Sequence, residues 1–276
     1  MTLSLPRLID TPALGPRPFL TWYGADGERI ELSATVTANW VAKTTNLLVE
    51  EFDAGPGTLV RLDLPVHWRT AVWAIAVWRT GAGVVLGGSG AGPADVIITD
   101  RPAALEAPAR EGAGVGSTGA GGAGADVAGV DGAGLDGAEV ARAEIVAQVL
   151  PSLARSFDGE LPPGAMDAAR AVGSYSDVIG YVPPAEPSSP AVQTPDGTVS
   201  HGSLGSWAAK VPVSARLGVG VDGSSRDVEG FLRLVLGALS ASSSLVLLPE
   251  THPDPSRVLG PEHATAFTVG PEGPHP

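Results

Sequence analysis

The chain has 276 residues, with 37 Gly, 25 Pro and no Cys, and its 17 basic against 30 acidic side chains leave a net charge of −13. The lack of Cys excludes disulfides, thiolate metal sites, iron–sulfur clusters and a Cys nucleophile. The acidic balance, without a basic cluster, argues against nucleic acid and anionic membranes as partners, because both are bound through Lys and Arg. Hydrophobic residues make up 43%, enough for a core and too many for a wholly disordered chain. The N-terminal residues carry no apolar signal-type run and are broken by prolines, and the most apolar helical run, Ala71 to Trp78, is too short to span a bilayer. These features predict a soluble, cytoplasmic protein.

In chain order, Phe19–Tyr23 reads as a strand, Ala25–Asp26–Gly27 as a turn and Arg29–Leu32 as a second, alternating strand, together a β-hairpin. Ser33 is placed to cap a helix whose Val36, Trp40, Thr44, Leu47 and Leu48 recur at helical spacing up to about Phe52, before Gly55–Pro56–Gly57. Leu59–Leu64 reads as a strand closed by Pro65. His67 to Thr80 reads as a helix, apolar on every face in its middle and hence buried, with Gly81 as a left-handed cap. Val84–Leu86 and Val96–Ile98 are short β-branched runs without alternation, the pattern of strands covered on both faces. Strand, helix and strand on short links make a βαβ unit and predict the α/β class, with a mainly parallel sheet and helices on both faces in three layers.

The composition then shifts. Residues 112–137 hold 11 Gly and 6 Ala and no aromatic or basic residue. Such a segment buries too little surface to offset about 1–2 kcal/mol per residue of backbone ordering. We therefore divide the chain into an α/β portion at 1–107, a Gly/Ala-rich flexible insertion at 108–137 and a second α/β portion at 138–276. Within the last portion, Glu144–Leu150 fits strand or helix and 157–198 is Pro- and Gly-rich and mostly irregular. His201–Val211 reads as a short helix, Arg216–Val221 as a strand, Asp227–Ser240 as an amphipathic helix and Leu245–Leu248 as a buried strand. Residues 270–276 read as a frayed tail.

Several of these features, in this order, carry a resemblance. They are Leu20–Thr21–Trp22, a helix bearing Asn46–Leu47–Leu48, Ala54–Gly55–Pro56–Gly57–Thr58–Leu59–Val60, Leu64–Pro65, the apolar helix, and Gly81–Ala82–Gly83–Val84–Val85. This order resembles the opening of the acyl-adenylate-forming superfamily, the AMP-binding domain of acyl-CoA synthetases. The chain looks like the N-terminal part of that fold in a shortened, actinobacterial-type branch. A later run, Val199–Ser200–His201–Gly202–Ser203–Leu204, resembles the segment that follows the superfamily's phosphate-binding loop.

The resemblance implies a nucleotide region at Thr194, Gly197, Thr198 and His201, with an AMP- or ATP-like ligand. In active members a loop of glycines, hydroxyls and a Lys cradles the phosphates through backbone N–H groups. Here Val192–Thr198 is shorter, has one Gly and no Lys, and Asp196 would set a negative charge among phosphates at a cost of roughly several kcal/mol. The chain ends before the superfamily's later aromatic, ribose-binding and catalytic-Lys segments, and its two lysines, Lys43 and Lys210, match none of them. These departures predict a catalytically degenerate relative that binds a small molecule or a protein partner. Two alternatives stay open: an acyl-adenylating enzyme with a rewired loop or a separate completing chain, and a dinucleotide-binding module.

That last alternative rests on Gly218, Gly220 and Gly223, which fit G-x-G-x-x-G between a strand and a helix, with Glu250 beyond a second strand as a ribose partner. The bland alternative is an ordinary strand-to-helix turn. Gly87–Ala91 resembles a nucleophile elbow loosely, but Pro93 and a strand follow where an elbow needs a helix. His67, His201, His252, His263 and His275 show no metal-site spacing, so no metal or redox centre is expected. Trp73 and Trp78 fall in the buried helix and read as core. Oligomeric state leaves no mark in the sequence.

Overall fold

The computed structural model describes residues 15–24, 27–88, 91–105, 142–221 and 225–268. The expected insertion at 108–137 and the tail from residue 270 lie outside the described residues.

Pro18–Tyr23 (β1) and Arg29–Ser33 (β2) form the expected antiparallel hairpin. The Ser33 hydroxyl accepts the Val36 N–H at 3.1 Å and so caps α1, Ala34–Phe52. The helix stops at Asp53, left-handed at φ 46°, before the glycines are reached. Its buried face runs through Thr37, Val41, Thr44, Thr45 and Leu48, whereas Val36, expected on that face, is exposed.

The predicted βαβ unit is present as Leu59–Asp63 (β3), Trp68–Thr80 (α2) and Gly83–Val85 (β4), with Val96–Thr99 (β5) on the other side of β3. His67 caps α2 through its ring, and Gly81 ends it at φ 85°. Every residue of α2 except Arg79 is buried.

The ambiguous run after residue 143 is strand: Glu144–Ala147 (β6) lies parallel to β5. The stretch 157–198 is more regular than its Pro and Gly content implies. It holds a two-residue strand, Met166–Asp167 (β7), a helical turn at Ala168–Ala171 capped by Asp167, and Pro190–Thr194 (β8), which pairs with Gly197–Ser200 (β9). Side chains of α1 pin the irregular part. The Asn46 amide donates to Ser176 O and Val178 O at 2.9 and 3.0 Å and accepts from Gly180 N at 3.0 Å, and Lys43 donates to Tyr175 O.

The helix expected over His201–Val211 is cut to turns at His201–Ser203 and Leu204–Trp207. Backbone pairing is the reason. Ala209 N–H donates to Arg233 O at 2.8 Å, and the Ala209 carbonyl lies so close to Gly237 that a Cβ there would meet it at 2.2 Å. The segment thus packs its main chain on the following helix instead of coiling.

Arg216–Val221 (β10), Ser225–Ser240 (α3) and Ser244–Pro249 (β11) form a second strand–helix–strand unit, joined by Thr265–Ala266 (β12). The class is α/β and mainly parallel, only the β1–β2 and β8–β9 pairs being antiparallel. The strands divide between two sheets, β12-β10-β11-β1-β2 and β7-β6-β5-β3-β4-β8-β9. Helix α2 touches β1 of the first and β3 and β4 of the second, which is why its sequence is apolar all round. Trp73 and Trp78 are core residues, their indole N–H groups bonded to Gln148 Oε1 at 2.7 Å and Ala191 O at 2.8 Å. Among the described residues no helix is long and apolar enough to cross a membrane.

Candidate ligand site at the carboxyl edges of the sheets

Open parallel sheets bind ligands beyond the carboxyl ends of their strands. In the seven-stranded sheet, β4 and β8 run parallel, so Thr194 reaches the same edge as Leu86 and Gly87. Thr194 pairs with Gly197 across a two-residue turn, Pro195–Asp196. Thr194, Gly197 and Thr198 are therefore hairpin residues, not members of an open loop. The chemistry of the turn explains this, because Pro suits its first corner, Asp its second and Gly the position that follows. Pro195 has no N–H, and the Asp196 N–H is taken by Thr194 Oγ1 at 3.3 Å. The Pro195 ring sits over Gly87, where a Cβ would lie 3.2 Å from it.

Beneath this tip, buried Arg61 of β3 donates to the carbonyls of Gly87, Gly88 and Gly92. The described part of the loop after β4 is thus held with its carbonyls inward, and Ala91–Asp95 leads directly into β5.

His201 does not join the other three residues. It follows Ser200, which pairs with Pro190 at the opposite end of the hairpin from the turn. Its Nε2 lies 3.0 Å from Ala82 O, beside the cap of α2. Burial lowers its pKa, partly countered by the backbone carbonyls of Ala82 and Gly81. A neutral ring donating to Ala82 O ties β9 to α2.

The glycine motif is also placed differently from the fingerprint. Gly218 and Gly220 lie inside β10, paired with Val246 and Leu248, not in the turn after the strand, and Gly223 lies outside the described residues. Their smallness serves packing. A Cβ on Gly218 would meet Leu259 Cδ2 at 2.2 Å, and one on Gly220 would meet Glu250 Cγ at 3.1 Å.

The five-stranded sheet is open where the other is closed. A cavity of about 270 Å³ lies past the ends of β10 and β11, lined by Gly220, Phe231, Leu234, Phe267 and Glu250 among others. Phe231 and Leu234 are buried on α3, and Glu250 is exposed. The sequence pattern pointed to a buried α3 face with Phe231 on it, but not to Leu234 nor to the cavity, which needs residues from four separated segments. Among the described residues no group of three or more His, Asp or Glu is placed to hold a metal ion.

No family model matches the chain. It is 45% identical over 106 residues to a Mycobacterium tuberculosis protein described as a TIGR03089 family protein, a match covering 38% of this chain and 42% of that one. Its structure is similar to an acyl-CoA synthetase of Brucella canis (TM-score 0.65, 16% identity, 95% of this chain and 46% of that one). It is also similar to apo MatB of Rhodopseudomonas palustris (TM-score 0.62, 14% identity, 95% and 48%) and to the amide bond synthetase McbA of Marinactinospora thermotolerans (TM-score 0.58, 15% identity, 96% and 47%). The chain spans somewhat less than half the length of each of these proteins. It has the α/β fold of the N-terminal part of acyl-CoA synthetases and related adenylation enzymes.

Proposed function

We propose that this chain is a catalytically degenerate relative of the adenylate-forming enzymes that binds a small, largely apolar ligand and does not cradle nucleotide phosphates. The closed hairpin at Thr194–Gly197 carries this reading. A phosphate loop works by presenting several backbone N–H groups, a Lys and hydroxyls to one anion. Here the two tip residues offer one Pro nitrogen without a proton and one N–H already bonded to Thr194, together with the Asp196 carboxylate. At a few ångströms from a phosphate and an effective dielectric of about 20, that carboxylate costs about 4 kcal/mol.

The cavity beyond β10 and β11 supplies the place for the ligand. Among the described residues it is walled by aromatic and aliphatic side chains with one carboxylate, Glu250, at its lining. An apolar body with a hydrogen-bond donor or cationic head suits that wall, and a free carboxylate suits it poorly. A thermal-shift panel tests the reading. Apolar amines and alcohols are expected to raise Tm, the gain falling away in Phe231→Ala, while MgATP, AMP and CoA leave Tm unchanged. A ligand present at 100 times its Kd stabilises by about 2.7 kcal/mol, well within reach of the measurement. A saturable shift with MgATP would count against the reading.

A further inference from the structure

A second, smaller cavity lies in the other half of the molecule, between α1, the first turn of α2 and the chain after β6. It has a volume of about 50 Å³, room for about four water-sized spheres. Its lining includes Trp40, Thr44, Trp68, Arg69, Gln148 and Ser152.

Arg69 dominates its chemistry. The side chain is buried, with its guanidinium carbon 4.3 Å from the Trp68 ring centre and 5.7 Å from that of Trp40. Nε donates to Leu150 O at 3.2 Å, and Nη2 donates to Pro151 O and Ser152 O at 3.3 and 3.4 Å. Among the described residues Nη1 makes no hydrogen bond and is not one of the buried unsatisfied atoms, so it reaches solvent, and the guanidinium forms no ion pair. The Glu28 carboxylate, which accepts the Ser152 N–H at 3.0 Å, acts on its charge without contacting it. Burial lowers the Arg69 pKa to about 10, so the group stays cationic at neutral pH.

The same wall holds two more polar groups without partners, the Trp68 indole N–H and the Ser152 hydroxyl. Gln148 makes no bond to either of them; its Oε1 accepts from Trp73 at 2.7 Å and its Nε2 donates to Val149 O. The leftover capacity of the site is thus donating and positively charged. Buried donors are normally satisfied, and a buried cation is normally matched by an anion. Water would satisfy the donors without placing a charge in contact with the guanidinium; a small oxyanion does both.

We propose that this cavity binds a small carboxylate-class anion, of formate or acetate size, held by Arg69, the Trp68 indole N–H and the Ser152 hydroxyl. The site is separate from the cavity beyond β10 and β11 and does not depend on the function proposed for it.

The test uses the full chain with sodium formate, sodium acetate and neutral acetamide, titrated at constant ionic strength with tryptophan fluorescence and Tm as readouts. Formate and acetate are expected to give a saturable response through Trp40 and Trp68, with acetamide at least tenfold weaker. Arg69→Gln is expected to abolish the response. Because that variant can fail to fold, Trp68→Phe and Ser152→Ala carry the decision, the first keeping an aromatic ring while removing the donor and the second removing the hydroxyl alone. Each should weaken acetate severalfold in the Tm titration. A non-saturating response, acetamide binding as tightly as acetate, or unchanged affinity in both conservative variants would overturn the proposal.

Discussion

The two sheets present the same kind of edge to solvent and finish it in opposite ways. At the seven-stranded sheet, β8 turns straight back through Pro195 and Asp196, and Arg61 locks the adjoining loop from below. At the five-stranded sheet, β10 and β11 end on a cavity between Phe231, Phe267 and Glu250. Among the described residues, backbone polar groups are taken up inside the protein at the first edge, and the Glu250 carboxylate is left exposed at the second. A shared topology therefore says where a ligand can sit, and the local saturation of donors and acceptors says whether one does.

The closed edge should be the more fragile to mutation. Arg61→Met removes the donor from three glycine carbonyls and should cost about 3–5 kcal/mol in urea unfolding, with faster hydrogen exchange at Gly87 and Gly88. A loss under about 1 kcal/mol would mean that the loop does not depend on this clamp. The open edge should respond less. Phe231→Ala should cost about 3 kcal/mol, at the low end for a buried Phe because its ring already borders empty space, and it should enlarge the cavity. Equal losses at the two sites would erase the contrast.

Acid should weaken the region between the sheets before either edge. Burial, helped by the charge of Arg69, pushes the His67 pKa down to about 3. A His held neutral in the folded state binds fewer protons than in the unfolded chain. Its contribution is therefore intact above about 6.5 and is lost as pH falls toward 3. Between pH 6.5 and 5 the loss should be about 2 kcal/mol from this residue, and His201, also lowered by burial, adds in the same direction. His67→Asn, which keeps a capping oxygen, should flatten the acid limb of a stability-against-pH curve; an unchanged slope would remove His67 as its cause. The smallest effect should come from the hairpin tip. Asp196 is exposed, so Asp196→Ala should shift stability in urea unfolding by no more than about 0.5 kcal/mol.

What the sequence made legible was local. The Ser33 and Gly81 caps, the β3–α2–β4 unit and the all-apolar middle of α2 follow from patterns a few residues long. The β8–β9 hairpin is equally local, since Thr194–Pro195–Asp196–Gly197 carries favoured turn residues between two extended runs, whereas the resemblance to a loop-bearing family implies a loop there. Other features were beyond the pattern. Glu144–Ala147 is a strand because β5 offers it an edge, a tertiary fact. Leu234 is buried because α3 packs on α2 as well as on β11. Arg69, in the first turn of a helix, would ordinarily face water; residues 150–152 cover it and take its hydrogen bonds.

The central claim is that the hairpin at Thr194–Gly197 does not receive nucleotide phosphates. Backbone amide NMR during a MgATP titration tests it most directly, because the Asp196, Gly197 and Thr198 signals report on the tip itself. The account predicts no saturable shift in these three amides up to millimolar nucleotide. A saturable shift of these amides in the unmutated chain would contradict it.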